Sequence, residues 1–276
     1  MIISVSHRSA YSYDAPLRVA VQSLRLTPSV FDGQKVIDWR IEVEGGTRGA
    51  GFRDGAGDWI ESWSVRGPAD RVEVTVTGLV ETKDLIGVLQ GHRESVSPLV
   101  YLRETSATHA DSGLVALAAG AVQAGASPLD NGHALARAVA AAIAYRPGAT
   151  EARTSAAEAL ALGEGVCQDH AHALIAAARS MDIPARYVSG YLLADQDGRE
   201  HEAAHAWAEL WIDGLGWVGF DPANECCPND LYVRLASGFD ATDAAPIRGI
   251  ASGPGTETLD VTVAVSAGQQ QQQHQQ

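Results

Sequence analysis

The chain has 276 residues, 46% of them hydrophobic, enough for a substantial core in one large domain or two small ones. Its formal net charge is −14, so the surface repels phosphate backbones and no nucleic-acid partner is expected. The three cysteines, Cys167, Cys226 and Cys227, are an odd count with two adjacent, which is no disulfide framework.

The start, Met1 to Arg8, lacks an apolar stretch behind a basic end. No window of 18 residues is apolar and free of charge. The expectation is therefore a cytoplasmic protein with reduced thiols and no membrane partner. Over the first ~85 residues the pattern alternates with the period of two that marks half-buried strands. Ala20, Gln22, Leu24 and Leu26 oppose Val19, Val21, Ser23 and Arg25, and Val36–Val43 and Val72–Thr77 repeat the habit. Asp54-Gly55-Ala56-Gly57-Asp58 predicts a tight turn between two such runs, because glycine and aspartate tolerate positive φ. Trp39, Trp59 and Trp63 are expected in core or inter-domain packing.

Helical signals begin after Lys83. Asp111 can cap a buried, Ala-rich helix running to about Gln123. A second helix is predicted from Asp130 or Asn131 to Ala144. Ser155 and Glu158 form a capping box before a short third helix. A fourth begins at Cys167, with Ala171, Leu174, Ile175 and Ala178 as its apolar stripe. Strands return at 185–193, 204–212, 216–221 and 258–265. A β-rich domain over 1–85, an α+β core over 86–267 and a floppy Gln-rich tail over 268–276 follow from this order.

Cys167 follows Gly163-Glu164-Gly165-Val166 and opens a helix. The free N–H groups and positive dipole there stabilise a thiolate and can hold an oxyanion. A thiol nucleophile needs a base, and the base an orienting partner. His205 lies on the predicted strand 204–212, sharing a face with Trp207, Glu209 and Trp211, and Asp221 closes the next strand. The short turn Asp213–Gly216 makes these strands a hairpin and brings His205 and Asp221 to the same end. Trp207 could line or shield the site or be a core aromatic, and the Tyr145 hydroxyl is a candidate second oxyanion donor. Asp169 is expected to make a structural hydrogen bond at the helix start, and His170 and His172 to have supporting or surface roles.

His201-Glu202-Ala203-Ala204-His205 matches a zinc-peptidase pattern, which requires both histidines on one helix face. Strand alternation begins inside the motif, so no metal and no cofactor is expected. Cys226 and Cys227 are read as free thiols.

Four segments taken together resemble the bacterial transglutaminase-like family: Gly165–Ala171, Ile183–Tyr191, His205–Glu209 and Gly216–Pro222. His7–Tyr13, Leu24–Pro28 and Asp38-Trp39 are similar to that family's N-terminal β domain. The resemblance implies a β-sandwich-like domain ahead of a papain-like, transglutaminase-like α+β core. It implies Cys167 as nucleophile, His205 as base and Asp221 as orienting residue. It further implies acyl transfer through a thioester on a peptide or protein amide, by hydrolysis or by isopeptide formation, although some relatives have lost the catalytic residues and an idle interaction scaffold is the third reading. One departure is Asp221-Pro222-Ala223-Asn224, where the family commonly has threonine at the third place, followed by Glu225-Cys226-Cys227.

Overall fold

The computed structural model describes residues 1–193 and 203–268. The first four strands are β1 (Ile2–Leu24), β2 (Gln34–Val43), β3 (Gly46–Arg53) and β4 (Trp59–Thr82). The alternating stripe Ala20, Leu24 and Leu26 and the run Val72, Val74 and Val76 point into one core with Ile3, Val5 and Val65. The predicted turn joins β3 to β4: the Asp54 N–H bonds the Asp58 carbonyl, and Gly57 takes φ 84°.

Four α-helices follow among the described residues, α1 (Ser112–Ala121), α2 (Pro128–Ala142), α3 (Ala156–Leu162) and α4 (Cys167–Arg179). Between them lie the two-residue strands β5 (Ala144–Tyr145) and β6 (Glu164–Gly165), paired in parallel. Asp111 caps α1, and Ser155 and Glu158 close the expected box on α3. Helix α2 starts earlier than predicted because Ser127 caps it and Pro128 fills its first turn, where no amide hydrogen is needed. Helix α1 is half exposed, with Leu114 and Ala118 buried but Val115 open to solvent. Ala118 enters the core, while the expected full burial of the helix is not found.

The core sheet runs β10-β7-β8-β9, from β7 (Ala185–Leu192), β8 (Ala204–Ile212), β9 (Gly216–Phe220) and β10 (Tyr232–Gly238). One face, through Ala206, Ala208, Leu210, Val218 and Phe220, packs on α4. Helix α4 is buried all round rather than along one stripe, because α1, α2 and α3 cover its other sides. That enclosure also buries His170 and His172, so neither has a surface role. His170 sits between the carbonyls of Val166 and Ile143, and His172 Nε2 accepts from the Ala241 N–H.

The last strands, β11 (Ile247–Ser252) and β12 (Glu257–Ala267), do not join the core sheet. Both pair antiparallel with β1, from Leu24↔Ile247 to Ile3↔Ala267. The sequence division at residue 85 assigned them to the core; their backbone hydrogen bonds place them in the first sheet, which thereby has six strands among the described residues. The first and last described strands thus share one sheet, and the α+β core lies between them in the chain. Trp39, Trp59 and Trp63 are partly exposed and line a cleft of about 520 Å³ in this sheet; Trp39 and Trp63 pack against its core, and the Trp39 ring lies 6.4 Å from that of Tyr191 of the core sheet, the inter-domain packing expected of it.

Candidate active site

Cys167 is the first residue of α4, and its thiol is 7% exposed. The turn before it is held by Asp169, whose Oδ2 accepts the Val166 N–H at 2.8 Å and the Thr150 hydroxyl at 2.6 Å. A Cβ on Gly165 would lie 2.7 Å from the Asp169 Cβ, so only glycine lets the chain pass so close to the helix start. Asp169 therefore has the structural role expected of it. Within the first turn of α4 the Asp169 and His170 N–H groups bond the Val166 carbonyl.

The β8–β9 hairpin pairs Ile212 with Gly216 and Ala208 with Phe220. Continued one step, the register sets Asp221 opposite Trp207, and His205 reaches across to it. His205 Nε2 lies 2.6 Å from Asp221 Oδ2. A carboxylate can only accept, so Nε2 carries the proton, and Nδ1 is left to face the Cys167 thiol, which hydrogen-bonds the same ring. The structure thus brings all three predicted residues together.

Burial alone would strip His205 of its charge. The hydrogen bonds and charges of Asp221 and Cys167 outweigh it and raise the imidazole to about 10. Asp221 is likewise disfavoured as an anion by burial, but His205, Asn224 and Tyr232 hold it below the usual carboxylate range. These directions describe a buried imidazolium beside the Cys167 side chain, braced by the Asp221 carboxylate.

The unusual loop after Asp221 closes on itself. The Asp221 and Cys226 backbones exchange both hydrogen bonds, and Asp221 Oδ1 accepts the N–H groups of Ala223 and Asn224. Those are backbone donors, so alanine serves where the family commonly has threonine.

Tyr145 pairs with Gly165 beside the Cys167 turn, half exposed, its ring 6.3 Å from that of His170. Trp207 is 2% exposed and stacks with the His205 ring at 6.4 Å. His205 lies on a strand, not a helix, and His201 and Glu202 of the zinc-like pattern fall outside the described residues. Burial pushes both Cys226 and Cys227 up, the latter to about 11 with added repulsion from Cys226 and Asp84. Sequence reasoning missed two features. Tyr232 reaches Asp221 from β10, and Arg186, Glu209, Arg234 and Asp58 form a buried ion network. Glu209 had been placed on the His205 face, which was the available signal for the second.

A Cys-His-Asp constellation at a helix start and strand hairpin, in an α+β core, defines the fold of thiol-dependent acyl transfer. Residues 115–222 match the transglutaminase-like superfamily and residues 3–81 the bacterial transglutaminase-like N-terminal region. An uncharacterized protein of Mycobacterium leprae is 32% identical over 280 residues, spanning 95% of this chain and 97% of its own. The protein belongs to the bacterial transglutaminase-like family. Its fold is similar to the crystal structure of a candidate cysteine protease from Cytophaga hutchinsonii, with TM-score 0.69 and 21% identity over 96% of this chain and 90% of that one. A protein-glutamine gamma-glutamyltransferase of Pseudomonas aeruginosa is 31% identical over 100 residues, 33% of this chain and 14% of that protein.

Proposed function

We propose that the protein hydrolyses an amide bond of a peptide or protein through a Cys167 thioester. The observation that carries this reading is the His205 ring. It gives Nε2–H to Asp221 at 2.6 Å and turns Nδ1 to the thiol at the start of α4. Cys167 attacks the amide carbonyl, and the Cys167 backbone N–H, with Tyr145 as a candidate second donor, receives the oxyanion. His205 gives its proton to the departing amine, then takes one from water as water cleaves the thioester. Water needs no built site as acceptor. Transfer to a primary amine is the second reading, supported by the similarity to the Pseudomonas aeruginosa glutamyltransferase. Ammonia release from glutamine peptides, with and without a primary amine, tests both. Amine incorporation that outpaces hydrolysis selects the second, and neither product from a broad peptide and amide panel overturns the enzymatic reading in favour of an idle scaffold.

The raised His205 value sets the pH behaviour. The leaving amine needs a protonated ring, which persists until pH passes about 10. Turnover is expected to fall only above about pH 10, whereas iodoacetamide labelling of Cys167, which needs only the thiolate, keeps its rate there. A descending turnover limb near the ordinary histidine value would contradict this assignment.

A further inference from the structure

Tyr232 opens β10 and lies behind His205. Its ring is 7% exposed and packs edge-on against His205 at 5.9 Å and against Trp207 at 5.5 Å. Its hydroxyl lies 2.8 Å from Asp221 Oδ2. That oxygen also receives His205 Nε2–H at 2.6 Å and Asn224 Nδ2–H at 2.7 Å. The other oxygen receives the N–H groups of Ala223 and Asn224. Four of these five donors belong to His205 and to the loop that carries Asp221 itself. Besides His205 on β8, Tyr232 on β10 is the donor among the described residues that reaches the carboxylate from another strand of the core sheet.

The direction of the bond follows from the groups present. Asp221 is held as an anion and only accepts, so the phenol proton points at it. The phenol oxygen is left as an acceptor, and Cys226 Sγ stands 3.3 Å from it. Burial pushes the Cys226 thiol up, so it keeps its proton near neutral pH and donates to the phenol oxygen. Burial, then the Asp221 charge, raises Tyr232 as well, so the phenol stays neutral. The bonds to Asp221 and Cys226, with a longer one from Asn224 Nδ2 at 3.5 Å, fix the hydroxyl, and none depends on substrate.

We propose that Tyr232 is a positioning residue of the triad: its hydroxyl fixes the rotation of the Asp221 carboxylate, and through it the tilt of the His205 ring toward Cys167. The proposal rests on reading Cys167, His205 and Asp221 as the reacting groups. The titratable neighbours are few. Asp221 and Cys167 face His205; His205, Tyr232 and Cys226 face Asp221. Without the hydroxyl the carboxylate is restrained by its own loop and by His205 itself, the ring follows it, and the contact between His205 and Cys167 loses alignment.

The test is the pH dependence of Cys167 alkylation by iodoacetamide, followed on the Cys167 peptide by mass spectrometry. It needs no acyl substrate, so failure to find amide turnover and failure of this proposal are separate results. Tyr232→Phe keeps the ring packing and removes one buried hydroxyl. It is expected to slow alkylation near neutral pH roughly tenfold, the size of a lost hydrogen bond to a charged group, and to move the acid limb toward that of a free thiol. Cys226→Ser, which still donates to the phenol oxygen, is expected to keep the wild-type limb. Superimposable limbs for wild type and Tyr232→Phe at unchanged Tm would overturn the proposal. Should Tyr232→Phe fail to fold, 3-fluorotyrosine incorporated at position 232 retains the shape and sharpens the donor. A limb that moves with fluorination supports the proposal, and one that stays overturns it.

Discussion

Cys167→Ala is expected to reduce amide turnover by at least about 10⁴-fold while leaving the unfolding temperature close to wild type. The size follows from the geometry. His205 and Asp221 are aligned for one partner, and alanine offers neither the attacking sulfur nor the group that pairs with the imidazolium. The small structural effect follows from position. The side chain at 167 contributes no cap to α4, since Asp169 ties the helix start through the Val166 N–H and the Thr150 hydroxyl. Cys227→Ala serves as the thiol control. Its sulfur is held as a protonated thiol, at about 11, and takes no part in the triad, so turnover should persist. Full turnover by Cys167→Ala on a substrate the wild type cleaves would refute the thiol mechanism, with thermal unfolding measured alongside.

The residues around Cys167 were legible because their signals are local. A glycine turn, a helix start, an alternating strand and a short hairpin turn each follow from a few neighbours, and together they placed His205 beside Asp221. The features that were missed are those of long sequence separation. Strand β12 alternates clearly, but alternation cannot say which edge it will join; the free edge of β1 lies more than 240 residues away along the chain, as the pair Tyr13↔Glu257 illustrates. The same holds for Tyr232, whose hydroxyl meets Asp221 only because β10 pairs with β7 rather than with β9. The burial of α4 on its remaining faces was not legible for a related reason. Its stripe was right, but its alanines on the other faces are small residues that let α1, α2 and α3 close in.

The ion network beneath the sheet predicts the largest change in stability. Glu209 lies on β8 on the same face as His205 and is 3% exposed. Its Oε2 accepts from Arg186 Nε at 2.7 Å and its Oε1 from Arg234 Nε at 2.8 Å. Arg186 also pairs with Glu94, and Arg234 with Asp58 at the tip of the β3–β4 turn, so one carboxylate links the core sheet to the first sheet. Burial alone would raise Glu209, but the Arg234 and Arg186 charges and bonds outweigh it and bring the carboxyl to about 2. Its folded value is below its unfolded value of 4.5, so its contribution is complete above about pH 4.5 and fades as pH falls through about 2. Glu209→Gln keeps the shape and removes the charge, leaving two buried guanidiniums facing a neutral amide. The expected cost is about 3–5 kcal/mol at neutral pH, a fall in Tm on the order of 10 °C. Urea titrations at pH 7 and pH 2.5 separate the charge from the packing. The gap between wild type and variant should narrow at the lower pH, where the wild-type carboxyl begins to take up its proton. A gap that is already within about 1 kcal/mol at pH 7 would mean that Glu94 and Asp58 hold the arginines without it. A gap that stays wide at pH 2.5 would mean that shape rather than charge is what Glu209 contributes to the strand that carries His205.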